Sequence, residues 1–200
     1  MDLSNPLRAV APSVESDVVA VLMRSHLPMT GARVAALAER SETQVRVVLR
    51  RLEQHGLVEV ERHGQSYTYL LNREHVLVPG LELLQQAMPT VEEMVRATTQ
   101  GWAVPAATVV LFGSAARRDG DADSDIDLLI VREDDVDADD ERWATQLHGL
   151  ATSVERWTGN TVQIIDLSVS ELATAQRREE PLVGELRADG VVLAGRNLTT

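Results

Sequence analysis

The amino-acid sequence predicts an α+β chain in two parts, and three observations predict it. Residues 14–54 carry apolar positions at helical spacing, residues 57–71 switch to a period of two, and from Thr108 onward short β-branched runs alternate with helical ones. The first part, residues 1–78, is expected to be a helix-turn-helix followed by a hairpin. The second, residues 79–200 with a linker and helix over about 79–100, is expected to be a mixed sheet flanked by helices. A chain of 200 residues that is 44% hydrophobic has enough apolar material for a core in each.

The elements follow in order. Val18, Val19, Val21 and Leu22 form a stripe on a helix that begins after Pro12 with Ser13 as its cap. Thr30 precedes a second helix from Gly31 to Arg40. A break at Ser41 leads to a third, in which Ser41 and Gln44 have capping-box spacing, Val45, Val48, Leu49 and Leu52 face inward, and Gly56 is the stop. Leu57 to Glu61 and Ser66 to Leu71 alternate around His63-Gly64-Gln65, which reads as a hairpin. Periodicity then lapses through Pro79-Gly80 to Pro89, apart from a short helix within Leu81 to Met88. Thr90 with Glu93 marks a helix start running to about Gln100.

Three helices followed by a hairpin, joined through Leu52-Glu-Gln-His-Gly56-Leu57-Val58, resemble the winged-helix domains of bacterial MarR- and ArsR-type regulators over residues 14–75. The resemblance implies that the helix over 43–54 enters a DNA major groove and that the hairpin tip around Arg62 to Gln65 touches the flanking backbone. Arg46, Arg50, Arg51 and Arg62 are then the DNA-binding residues. A plain dimerisation domain with solvated arginines is the alternative. Residues 1–80 hold nine Arg against nine acids, while residues 81–200 hold ten against twenty-two, so the net charge of −12 sits in the second part. That acidity argues against the second part gripping DNA, while the first part remains eligible.

Thr108 to Phe112 reads as a buried strand that ends in a tight turn at Gly113-Ser114. Glycine lets the main chain approach a phosphate, and the serine adds a hydroxyl donor. In the next strand, Asp125 to Val131, alternation places Asp125 and Asp127 on one face and Ile126, Leu128 and Ile130 on the other, toward the core. Adjacent carboxylates repel, and a structural strand gains nothing from the pair. A divalent cation converts the repulsion into binding. Asp119 to Asp125 does not suit a calcium loop, which would need Gly near Ile126 and Glu near Arg132.

Gly113-Ser114, ten residues, then Asp125-x-Asp127, within the run Gly113-Ser-Ala-Ala-Arg117 to Asp123-Ser-Asp-Ile-Asp-Leu128, resembles the DNA polymerase β-type nucleotidyltransferases, and among them the minimal ones. The resemblance implies that Gly113, Ser114 and Arg117 bind the triphosphate of an NTP such as ATP, and that Asp125 and Asp127 are catalytic and bind Mg²⁺ or Mn²⁺. Where the family usually has glycine after the arginine, this chain has Arg118. The family also adds a third carboxylate from a later strand, here Thr161 to Asp166. The usual position is occupied by Gln163. Asp166, the catalytic candidate, lies three residues on and serves through a bulge or strand end, or else the third ligand is missing.

Asp139 to Trp157 reads as a helix with Trp143, Leu147, Leu150, Val154 and Trp157 inward, ended by Gly159. Ser168 with Glu171 caps another, Pro181 to Asp189 makes a further one, and Val191 to Leu193 a last strand. The five histidines show no ligand spacing. There is no cysteine, no lysine and no apolar run long enough for a membrane, so a cytoplasmic protein is expected. The two resemblances together imply a nucleotidyltransferase that moves NMP to a protein or small-molecule hydroxyl, with double-stranded DNA, a partner protein and a second copy of the chain as partners. The competing class is a transcriptional regulator whose second domain senses nucleotide, or dimerises, without turnover.

Overall fold

The computed structural model describes residues 1–197, which fall into two compact units: Asn5–Ala87, and Met1–Ser4 together with the chain from Met88 onward. In the first unit, α1 (Val14–Met23), α2 (Gly31–Ala38) and α3 (Glu42–Gln54) pack around Val18, Leu22, Val34, Val45 and Leu49. The Thr30 hydroxyl caps α2 by accepting from Arg33 N–H, and Ser41 and Gln44 form the expected box at the start of α3. Ser13 stands at the N-cap of α1 but makes no side-chain cap bond. Strands β2 (Val58–His63) and β3 (Ser66–Leu71) form the hairpin, and a two-residue strand, β1 (Met29–Thr30), adds to the open side of β3. Two residues carry too little periodicity for a strand to be read from sequence.

Helix α4 (Val78–Gln85) takes in Pro79 and Gly80, and α5 (Ala87–Gln100) takes in Pro89. Neither proline breaks its helix, because both sit in a first turn, where no N–H partner is needed. The composition break after residue 78 therefore falls inside α4, and the contacts divide the chain between Ala87 and Met88. Thr90 is a helical residue rather than a cap, and Glu93 pairs with Arg96.

The second unit is built on a four-stranded mixed sheet in the order β6-β5-β4-β7. Strands β4 (Thr108–Phe112), β5 (Ile126–Arg132) and β7 (Val191–Gly195) pair antiparallel. The 18-residue helix α7 (Glu141–Thr158) returns the chain so that β6 (Val162–Ser168) lies parallel to β5. One face packs Leu111, Ile126, Leu128 and Ile130 against Trp143, Leu150 and Val154 of α7 and Val91 and Val95 of α5. The opposite face is also core. Val110, Phe112, Leu129 and Val131 pack against Leu186 of α9 (Pro181–Asp189), with Leu172 of α8 (Val169–Arg177) beside them. With both faces covered, β4 and β5 need not alternate, which is why they read as continuous apolar runs.

Candidate functional site

The chemistry-bearing residues collect where β4 ends and β5 begins. Phe112, the last residue of β4, pairs with Asp127, so the turn after β4 emerges beside that carboxylate. Gly113 opens the short helix α6 (Gly113–Arg117) at φ +68°, and a Cβ there would lie 2.5 Å from Asp127 Oδ2. Glycine is thus required twice, by the backbone conformation and by the close approach. Ser114 follows in the first turn of α6, and its carbonyl accepts from Asp119 N–H at 3.2 Å.

Asp125 stands just before β5 and Asp127 inside it, and both are half-buried. They share a sheet face with Leu129 and Val131. Burial, the charge of Asp125 and the charge of Glu185 on α9 together push the Asp127 carboxyl above its ordinary range, and Arg117 opposes them. Gln163 lies beside Asp127 in the parallel register and donates from Nε2 to Asp125 Oδ2 at 2.6 Å. At the position where a third carboxylate was expected, the side chain is therefore a donor to another carboxylate.

Asp166 is not brought to this site. It pairs with Ile130 in the register, an odd number of residues from Gln163, and so faces α7. There it accepts from Arg132 Nη1 at 3.0 Å and from Trp143 Nε1 at 3.1 Å, while Arg132, only 8% exposed, also donates to Glu171. A buried guanidinium on β5 needs compensating charge, and Asp166 supplies it.

Residues 104–180 match a protein family by sequence: polymerase beta, nucleotidyltransferase. The matched segment runs from the approach to β4 past the end of α8, and it contains Gly113, Ser114, Asp125, Asp127 and Gln163. No curated protein matches the chain. Among solved structures, a toxin–antitoxin crystallised with AMP-PNP is 20% identical over 53% of this chain and 74% of that one, with a TM-score of 0.38. Human N-acetylserotonin methyltransferase with SAM is 19% identical over 49% and 30% of the two chains, at 0.30. The archaeal chromatin protein TrmBL2 is 14% identical over 87% and 71%, at 0.28.

Beyond the matched segment, α9 contributes what the sequence did not reveal. Asp189 reaches Arg117 Nη1, while Asp119 Oδ2 accepts from Arg117 Nε at 3.0 Å, so the arginine expected to meet phosphate is held between two carboxylates. Glu185 and Asp189 are four apart on one helix face, a signal visible in sequence, but nothing local says which site that face meets. Arg118 occupies the left-handed region at φ 61°, the conformation that a glycine would take without cost, and its guanidinium pairs with Glu92 of α5.

The residues expected to bind DNA separate in the N-terminal unit. Arg46 and Arg50 line a cleft of about 730 Å³ between α3 and the hairpin, floored by Leu49 and Tyr69, and neither forms an ion pair among the described residues. Arg51 is turned away and pairs with Glu15 of α1. Arg62 is anchored within the hairpin tip by Gly64 O at 2.9 Å and lies 6.0 Å from the Tyr67 ring centre.

Proposed function

We propose that the C-terminal unit transfers a nucleoside monophosphate from an NTP, ATP in the first instance, to an acceptor hydroxyl, with release of pyrophosphate. The observation that carries this reading is the packing of the Gly113 turn against Asp127, with Asp125 two residues away, because it puts a phosphate-approaching main chain beside paired carboxylates. The donor set fits Mg²⁺ or Mn²⁺: two hard oxygen ligands whose mutual repulsion a cation relieves, with the remaining positions left to water and phosphate. No group of three acidic or imidazole ligands exists among the described residues. When bound, the cation neutralises charge on the triphosphate.

Asp125 and Asp127 hold the cation, Gly113 N–H and the Ser114 hydroxyl bind phosphate oxygens, and the Gln163 amide keeps Asp125 oriented. Arg117 joins once phosphate competes with Asp119 and Asp189 for its donors. Gln163 cannot accept a proton, so the acceptor proton leaves to water or to a group of the acceptor. The first unit, a winged helix in this reading, uses Arg46 and Arg50 on duplex DNA, and the acceptor is a protein partner or small molecule in the cytoplasm.

A second reading is favoured by the Gln163–Asp125 bond: a DNA-binding regulator, working as a homodimer, whose second unit senses nucleotide without turnover. Transfer from α-labelled NTPs with Mg²⁺ or Mn²⁺, beside Asp125→Asn and Asp127→Asn, separates the two. Transfer lost in both variants supports the enzyme. Metal-dependent NTP binding without transfer supports the sensor, and the absence of both sinks each reading.

A further inference from the structure

We infer that Asn160, together with the strap Met1–Ser4, forms a clasp that positions Asp125. The inference rests on the reading of Asp125 as a metal-holding carboxylate. Because Asp125 precedes β5, the regular ladder does not set its main chain, and the loop over 118–125 must.

That loop is anchored on both sides of Asp125 by two consecutive residues of the α7–β6 connection. Asn160 Nδ2 donates to Ser124 O at 3.0 Å, immediately before Asp125, and Thr161 O accepts from Ile126 N–H at 2.9 Å, immediately after it. Asn160 is 2% exposed, and its amide also reaches Met1 from both ends: Nδ2 donates to Met1 O at 3.0 Å and, sharing one of its two hydrogens, to Ala122 O at 3.3 Å, while Oδ1 accepts from the Met1 main-chain nitrogen at 2.7 Å. One buried side chain therefore joins three segments, a role that suits an amide, which carries two donor hydrogens and an acceptor oxygen. Its own N–H is fixed by Thr158 Oγ1 at 3.1 Å.

The strap reaches the other half of the site. Ser4 N–H donates to Gly120 O at 2.8 Å, and Leu3 is 1% exposed. A Cβ on Gly120 would meet Leu3 Cδ1 at 2.9 Å and Ser114 Oγ at 2.8 Å, so Gly120 is pressed between the strap and the proposed phosphate-binding serine. The Asp121 carboxylate, which accepts from Ser124 Oγ and Asp123 N–H, keeps the rest of the loop compact.

The test compares the full chain with Asn160→Ala and with Leu3→Ala, by hydrogen exchange over 120–126 and by Mn²⁺-dependent ATP binding. Loss of the clasp is expected to speed exchange in that segment and to weaken Mn²⁺-dependent binding, each by about tenfold, while ATP binding without metal changes by less than about twofold. If Asn160→Ala does not fold, Leu3→Ala, which keeps the amide network and loosens only the strap, carries the same readouts with smaller changes. Unchanged exchange over 120–126 in a folded variant overturns the clasp, as does faster exchange with undiminished Mn²⁺-dependent binding. Absence of Mn²⁺-dependent ATP binding by the unaltered protein sinks the proposed function instead, and the exchange measurement still decides whether the clasp holds the loop.

Discussion

Gly113 and Asp127 are one unit of structure, since the carboxylate occupies the space that any other residue at 113 would fill. Gly113→Ala is expected to cost stability through both the contact and the left-handed backbone. In an Asp127→Ala background only the backbone cost of about 1 kcal/mol remains, and a double-mutant cycle by chemical denaturation measures the difference. Equal costs in the two backgrounds count against the contact. Asp127 also makes a pH prediction. Its carboxyl is raised above the ordinary 3.8 by burial and by Asp125, so it binds its proton more tightly folded than unfolded. That contribution to stability is fully present below 3.8 and is lost as pH rises through the raised folded value. A divalent cation restores what ionisation costs, so the thermal shift produced by Mg²⁺ is expected to be absent in acid and to grow as pH rises through that window. In Asp125→Asn the repulsion is gone and the stability change attributable to Asp127 moves to lower pH. A Mg²⁺ shift independent of pH contradicts this account.

At the scale of elements, each unit has within it an ion network around a buried residue that no local pattern announces. Asp17 of α1 is 3% exposed and takes Arg8 Nε at 2.6 Å and Arg40 Nε at 2.7 Å, joining the segment before α1 to the end of α2. Asp17→Asn is expected to cost about 2 kcal/mol, below the roughly 3–5 kcal/mol of a pair buried on both sides, because both guanidinium groups stay partly hydrated when the carboxylate is gone. Urea denaturation of the N-terminal unit measures it, and a change inside experimental error contradicts the assignment. The Arg132–Asp166–Glu171 cluster plays the same part in the second unit, tying β5 to β6 and α8. Here the sequence was legible up to a point. The strand 161–166, its facing and the doubt over Asp166 all followed from the period of two. That Arg132 was buried and needed Asp166 did not, because an arginine ending an apolar run also suits a strand end in water.

At the scale of the whole molecule, the chain passes between two units at Ser4–Asn5 and again at Ala87–Met88, and each unit has its own core. Calorimetry is therefore expected to resolve two transitions. Mg²⁺ with ATP is expected to raise the one that belongs to the C-terminal unit if Asp125 and Asp127 hold the cation, and duplex DNA to raise the other if Arg46 and Arg50 meet phosphate. A single transition moved equally by both ligands overturns the assignment of separate sites. No helix among the described residues is long and apolar enough to cross a membrane.

The sequence by itself determined the longer elements, the caps at Ser41 and Ser168, the glycine at the end of β4 and the carboxylate pair. Those are written in spacings of two to four residues, which backbone geometry reads directly. Only the tertiary structure decided that Asp166 faces Trp143, that Asp189 holds Arg117, that Arg51 is spent on Glu15 and that Asn160 holds the loop before Asp125. These pairings depend on sheet register and on which helix face meets which strand. Residues 23 to 72 positions apart meet there because of how the core packs, and nothing in their immediate neighbourhood records it.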